Sequence, residues 1–418
     1  WRRPPRCFPG AGGNETTGRT HVAKTALLLS VTSNLCALGF FKYFHFGIDV
    51  WNQLATALNA SFFSLQTSLH IILPLGISFY TFQALSYVID VYRGEAEAME
   101  NFIDFSCFVS MFPHLVAGPI LKFSFLAEQL KTRTHTLEKF ARGSAFIFLG
   151  LAKKVLLANP CGRIADSVFD AASRSLVEAW AGIVAYAMQL YFDFSGYSDM
   201  AIGLGLLYGF TFARNFNAPY AASSITDFWR RWHISLSAWL RDYLYIPLGG
   251  NRLGEIRTYL NLFCTMLLGG LWHGASWNFV IWGALHGCAL VVERLFKHQL
   301  PAFKVPALIG RVLTLGVILV GWVFFRAPTL PDALEYLAAM GGNFGMFKAS
   351  STLAGWEQQP FLLIHFMLGL GVLGVGKQTW EWTQTLTFPK AMAVVTLGSL
   401  ALAALFTQDY NPFIYFIF

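Results

Sequence analysis

The stretch Leu268-Gly-Gly-Leu-Trp-His273-Gly-Ala-Ser-Trp-Asn-Phe-Val-Ile-Trp-Gly-Ala-Leu-His286-Gly287 decides how this chain must fold. No Asp, Glu, Lys or Arg occurs between Arg257 and Glu293. A run that long and that apolar belongs in protein or in lipid, not in water. Yet it carries two imidazoles. A polar side chain at membrane depth is costly and marks a functional position by default. Histidine is also the side chain best matched to acid–base work near neutral pH. The bland alternative for each is a core imidazole with its hydrogen bonds satisfied.

The rest of the chain has the same character. Of its 418 residues, 55% are hydrophobic and 13% charged, against ~25% charged in soluble domains. Mean hydropathy is +0.49. This is the composition of an all-α polytopic membrane protein. The net charge of +7 therefore does not point to nucleic acid, because Lys and Arg gather in cytoplasmic loops. The clusters Lys131–Arg142, Arg230–Arg257 and Arg294–Lys304 read as cytoplasmic or interfacial. Cys7, Cys36, Cys107, Cys161, Cys264 and Cys288 are scattered without metal-type spacing and read as buried free thiols.

Apolar runs at 25–46, 69–92, 102–121, 143–160, 176–194, 197–213, 259–272, 276–296, 308–326, 360–376 and 391–408 approach the ~20 residues a spanning helix needs. Nine to eleven spans are expected, some re-entrant. Residues 1–20, rich in Pro, Gly and Arg, read as a disordered or atypical lead-in, and 21–418 as a single unit without internal repeats. Breaks at Pro74-Leu-Gly76, Gly118-Pro119 and Gly269-Gly270 suit a cavity or tunnel, the last ending a helix just before His273. Gly and Pro are also simply commoner in membrane helices.

Between 214 and 257, Trp229, His233, Leu236 and Leu240 recur at helical spacing. This predicts one amphipathic helix that lies in the membrane interface or dips into it, capped by Ser224 or Thr226. Arg230, Arg231 and Arg241 would face phosphates, of lipid or of a cofactor such as coenzyme A.

His233, His273 and His286 are the candidate catalytic residues. A continuous helix would set His273 and His286 ~20 Å apart, whereas a turn at Gly274–Ser276 would let both approach one cavity. Trp272 and Asn278 are nearby candidates to steady an oxyanion. Asp193, in Tyr191-Phe-Asp-Phe-Ser-Gly-Tyr-Ser-Asp199, could orient a histidine or form an intramembrane ion pair. The three histidines are too dispersed to propose a metal site. No serine-hydrolase elbow, P-loop or HExxH motif is present.

Taken in order, Leu73-Pro-Leu-Gly-Ile-Ser-Phe-Tyr-Thr-Phe-Gln83, Tyr87-Val-Ile-Asp-Val-Tyr-Arg93, Phe112-Pro-His-Leu-Val-Ala-Gly-Pro-Ile120, Tyr191 to Gly203, Phe228-Trp-Arg-Arg-Trp-His-Ile-Ser-Leu-Ser237 and Gly270-Leu-Trp-His-Gly274 resemble the membrane-bound O-acyltransferase superfamily. The resemblance is to its bacterial branch of alginate O-acetyltransferases and runs from about residue 34 to the closing Asn411-Pro-Phe-Ile-Tyr-Phe-Ile-Phe418. Members of that branch usually carry one or two more apolar segments in front, where this chain has a basic, Pro/Gly-rich stretch.

The resemblance implies a helical bundle with re-entrant and interfacial helices around a tunnel, multi-pass in a bacterial inner membrane. It implies no bound cofactor. An acyl group, most simply acetyl, would pass from a cytoplasmic thioester such as acetyl-coenzyme A to an extracytoplasmic polysaccharide hydroxyl or a periplasmic partner. The family's invariant histidine maps onto His273, a second onto His233, and His286 is a weaker match. Buried, His273 would stand neutral and ready to accept a proton. Rivals are D-alanyl or peptidoglycan acyl transfer within the superfamily, and a polysaccharide or lipid transporter, which would move substrate unchanged and often shows a repeat.

Overall fold

A computed structural model describes residues 16–412 other than 301, 303–304, 344–354 and 356–358, with side chains from Thr20 onward. Residues 1–15 of the expected lead-in and 413–418 of the closing motif lie outside the described residues, and Thr16–Thr20 open the first helix. Regular structure among the described residues is helical throughout. In chain order the helices are α1 (Thr16–Ala57), α2 (Ile77–Tyr92), α3 (Phe102–Ser110), α4 (Phe112–Leu115), α5 (Phe123–Lys131), α6 (Leu137–Ala152), α7 (Asn159–Phe169) and α8 (Leu176–Leu207). There follow α9 (Ile225–Arg231), α10 (Ile234–Leu240), α11 (Glu255–His273), α12 (Trp277–Gln299), α13 (Ala307–Arg326), α14 (Leu330–Met340), α15 (Pro360–Val375), α16 (Thr379–Trp382) and α17 (Phe388–Thr407).

Among the described residues, four helices are long and apolar enough to cross a bilayer: Thr20–Ala57 within α1, then α12, α13 and α17; α15 is shorter and apolar. Fewer helices meet that standard than the nine to eleven spans expected, because several of the eleven apolar runs merge or break. The runs 176–194 and 197–213 form one helix, α8, of 32 residues, opened by a Ser175–Glu178 capping box. The polar Asp193-to-Asp199 stretch does not interrupt it because both carboxylates are neutralised. Lys154 meets Asp193 at 2.7 Å and Lys153 meets Asp199 at 2.7 Å. Both lysines lie on a π-helical segment, Lys153–Ala158, that joins α6 to α7.

Glycine pairs bring α6 against α8. A Cβ on Gly150 would lie 2.5 Å from the Gly196 carbonyl oxygen, and one on Gly143 would lie 2.8 Å from that of Gly203. Small residues at such crossings let helix backbones approach in membranes. By contrast, 69–92 and 102–121 are broken. Residues 64–76 are non-helical, α2 begins only after Gly76 (φ +74°), and Met111 separates α3 from α4.

The site rests on a core of rings where α8, α9, α12, α13 and α14 meet, including Tyr186, Phe194, Phe228, Trp282, Trp322 and Tyr336. Gly269 and Gly270 do not end α11; they lie inside it, and Gly270 packs on the backbone of Gly283 in α12. Of the two alternatives for 273–286, the chain takes the turn at Gly274–Ser276, where α11 gives way to α12. The two helices form a tight antiparallel hairpin, tied at its far end by Arg294 on Glu255 at 3.0 Å.

Candidate active site

The expected amphipathic helix over 224–243 is two short helices with a break at Trp232–His233. Ser224 caps α9 by accepting from the Asp227 N–H at 3.1 Å. His233 adopts a left-handed backbone, φ +43° and ψ +54°, rare for a non-glycine residue and costing ~1–3 kcal/mol unless its surroundings impose it. They do. The Ile234 N–H donates to the Asn215 carbonyl at 2.9 Å, and the Asn215 Oδ1 accepts from the Ser235 hydroxyl at 2.6 Å. Local periodicity could not show this, because Asn215 lies in the preceding loop. His233 is fully buried, its ring 4.7 Å from that of Phe194. It does not lie on an interfacial face.

His273 is the last residue of α11 and 6% exposed. The final carbonyls of a helix lack intrahelical partners, and here each is accounted for. Gly270 O accepts from the Gly274 N–H at 3.4 Å and Leu271 O from the Tyr43 hydroxyl at 2.6 Å. Trp272 O and His273 O both accept from Lys42 Nζ, at 2.6 and 3.1 Å.

The hairpin and the break together align three imidazoles alternating with two indoles. Ring-centre separations are 6.3 Å from His233 to Trp272, 4.9 Å to His273, 5.2 Å to Trp282 and 4.9 Å to His286, every contact edge-on. Phe325 closes on His273 at 5.3 Å. His286 is packed by Trp229 at 5.2 Å and Phe228 at 6.4 Å. The ring nitrogens of His233 and His286 are buried with no hydrogen bond to another described residue. Buried polar atoms in that state are uncommon and call for an explanation, such as a bound polar group.

Two cavities meet at His273. One, of about 220 Å³, is walled by Trp229, Leu236, Leu240, Met266, Trp282 and His273, with Arg241 and Tyr245 at its edge. It runs along α11 toward the hairpin end that carries Arg252, Arg257, Arg294 and Lys297. The other, of about 300 Å³, is lined by Lys42, Leu73–Phe79, Val116, Trp272 and His273. His273 stands about 27 Å along α11 from Glu255. Its ring thus lines both cavities at the end of α11 far from Glu255.

The remaining candidates are distributed as follows. Trp272 stacks on Phe82 at 5.2 Å and lines the second cavity; its indole N–H donates to the Ser78 carbonyl at a long 3.4 Å. Asn278 is buried and donates to the Ala327 carbonyl at 2.8 Å, joining α12 to the end of α13. Asp193 pairs with Lys154 at 2.7 Å, the intramembrane ion pair that was one of its two expected roles. Arg241 edges the first cavity and bonds Asp242 at 2.6 Å. Arg230 is exposed and Arg231 bonds Asp227 at 2.9 Å, neither lining either cavity. Lys42, Tyr43 and Ser78 join the site through contacts to the end of α11 that lie 194 to 231 residues away in sequence, beyond the reach of any local pattern. Lys42 did leave one signal, a cation deep in an apolar run.

A profile of the membrane-bound O-acyltransferase family matches residues 93–327. The chain is 44% identical over 434 residues to the probable alginate O-acetylase AlgI of Azotobacter vinelandii, covering 96% of this chain and 86% of that protein. It is 41% identical over 350 residues to the peptidoglycan O-acetyltransferase of Helicobacter pylori, covering 77% and 65%. Against the teichoic acid D-alanyltransferase of Bacillus subtilis, identity is 26% over 270 residues, covering 60% and 68%.

Proposed function

The chain belongs to the membrane-bound O-acyltransferase family and is a membrane-embedded acyltransferase; on that premise we propose that it transfers an acetyl group from acetyl-coenzyme A, or another acyl thioester, across a bacterial inner membrane. The acceptor is an extracytoplasmic polysaccharide hydroxyl, reached directly or through a periplasmic partner protein. Relatives named as alginate O-acetylases, at 44% identity, favour a uronate-bearing exopolysaccharide over peptidoglycan or teichoic acid.

The observation that carries this reading is the position of His273 on the walls of both cavities. The donor's acyl-bearing arm enters the narrow apolar cavity from the basic face, where Arg241 meets its phosphates. The acceptor enters from the Lys42 side. A neutral imidazole at the junction takes the hydroxyl proton as the oxygen attacks the thioester carbonyl carbon, a contribution worth ~10²–10⁴-fold. The tetrahedral intermediate then breaks its C–S bond. The thiolate leaves and recovers the proton from the imidazolium, giving an ester and a free thiol and returning His273 to its starting state. His233 and His286 flank this centre as further imidazoles beyond Trp272 and Trp282, available to bond a polar group of either substrate.

The test is His273→Ala in a bacterial host deleted for its own copy, with ester-linked acetyl on the envelope polysaccharide read by mass spectrometry. The expected result is loss of O-acetyl at normal membrane abundance of the protein. Acetylation retained at the wild-type level would reject His273 as the base.

A further inference from the structure

We propose that Lys42 is a positioning residue for acyl transfer, fixing the turn that presents His273 to both cavities; the inference rests on the function proposed above. Lys42 lies midway along α1, in a span whose other charges are Lys24 and Asp49. An ammonium there is expensive in an apolar setting and needs a reason. Its three hydrogen bonds supply one. They go to the carbonyls of Trp272 and His273 and, at 3.2 Å, to the Ser78 hydroxyl at the start of α2.

Those partners come from α11 and α2, two of the elements that line the second cavity, and Lys42 itself lines it. The neighbouring Tyr43 hydroxyl holds the Leu271 carbonyl at 2.6 Å. Three successive carbonyls at the end of α11 are thus gripped by two successive side chains of a helix some 230 residues earlier. The end of a helix carries partial negative charge, which a cation there offsets. The same ammonium ties α11 to α2, so the imidazole at the helix tip and the opposite cavity wall move together. Without it, the last turn of α11 is free to fray, and the ring that must meet both substrates loses its fixed position.

The experiment compares wild type, Lys42→Met, Lys42→Arg and His273→Ala in membrane vesicles. Transfer of labelled acetyl from acetyl-coenzyme A to de-O-acetylated exopolysaccharide is measured, with rates expressed per folded molecule by fluorescence-detected size exclusion. Lys42→Met is expected to lower kcat ~10–100-fold, the scale of an ~1 Å misplacement, while KM for acetyl-coenzyme A stays within about twofold. Lys42→Arg, which keeps a cation with donors, restores most of the rate.

Wild-type kcat in Lys42→Met, or a loss that Lys42→Arg does not recover at all, overturns the inference. Should Lys42→Met not reach the membrane folded, Tyr43→Phe and Ser78→Ala each remove one bond and are expected to lower kcat partially. Wild-type kcat in both overturns it equally. His273→Ala separates the two claims. Activity in that variant, or none in wild type with the host's periplasmic fraction added, sinks the proposed function, whereas an inactive His273→Ala beside a fully active Lys42→Met sinks only the role of Lys42.

Discussion

Two adjacent glycines in α11 should respond in opposite ways to the same added methyl group. A Cβ on Gly270 would stand 2.3 Å from the Phe279 carbonyl oxygen and 2.9 and 3.0 Å from backbone atoms of Gly283. All three obstacles are backbone of the facing helix, so no side chain can step aside. Restoring ordinary contact demands that α11 and α12 separate by about 1 Å. Overpacking of this kind costs ~1–3 kcal/mol. The same displacement moves His273, on one helix, relative to Trp282, on the other, and ~1 Å of misplacement is worth up to ~10² in rate.

A Cβ on Gly269 meets only the Leu240 Cδ1, at 3.2 Å, which a flexible side chain relieves by a few tenths of an ångström. Replacing glycine inside a helix also gains ~1 kcal/mol of helix propensity. Gly270→Ala should therefore lose thermal stability and most transfer activity, and Gly269→Ala should keep both. The assays are thermal unfolding followed by fluorescence-detected size exclusion, and acetyl transfer in vesicles. Equal behaviour of the two variants would refute the claim that backbone contact at this crossing holds the site together.

Other outcomes follow from single contacts. Lys154→Met removes the cation facing Asp193, whose side chain is 2% exposed, and should destabilise the protein by ~3–5 kcal/mol; Lys154→Met with Asp193→Leu should recover much of that in the same unfolding assay. Arg241→Ala should raise the KM for acetyl-coenzyme A more than it lowers kcat, whereas Arg230→Ala should change neither, because only Arg241 edges the basic-side cavity. Burial opposes ionisation of Asp242, but hydrogen bonds from Arg241 and Lys122 outweigh it and hold the carboxyl below its ordinary value of 3.8. The stability it contributes is therefore complete above about pH 4 and lost as pH falls through the lowered value, so Asp242→Asn should flatten the acid side of the stability–pH curve.

Membrane character, the helical class and the Trp272-His273 motif were all legible in the chain, because apolar runs and motifs are local properties. The sequence left a continuous helix and a turn at Gly274–Ser276 both open, and the chain takes the turn, which folds α12 back on α11. What was not legible depends on distant partners. His233 breaks a well-patterned helix because Asn215 bonds the backbone and side chain beyond it. Asp193 and Asp199 sit inside one unbroken α8 because Lys153 and Lys154 face them from the π-helical segment. Gly269-Gly270 read as a helix end, yet the missing side chains serve a helix crossing. Arg230 and Arg231 shared a basic cluster with Arg241, but of the three Arg241 alone lines one of the two cavities at His273.

Sidedness is the sharpest test of a histidine set between two cavities. Sealed inverted vesicles, cytoplasmic face outward, would receive labelled acetyl-coenzyme A outside and hold de-O-acetylated polysaccharide in the lumen. The account predicts label on the luminal polymer with wild type, none with His273→Ala, and none in right-side-out vesicles given the donor outside. Labelled polymer formed only when donor and acceptor share one side of the membrane would contradict it.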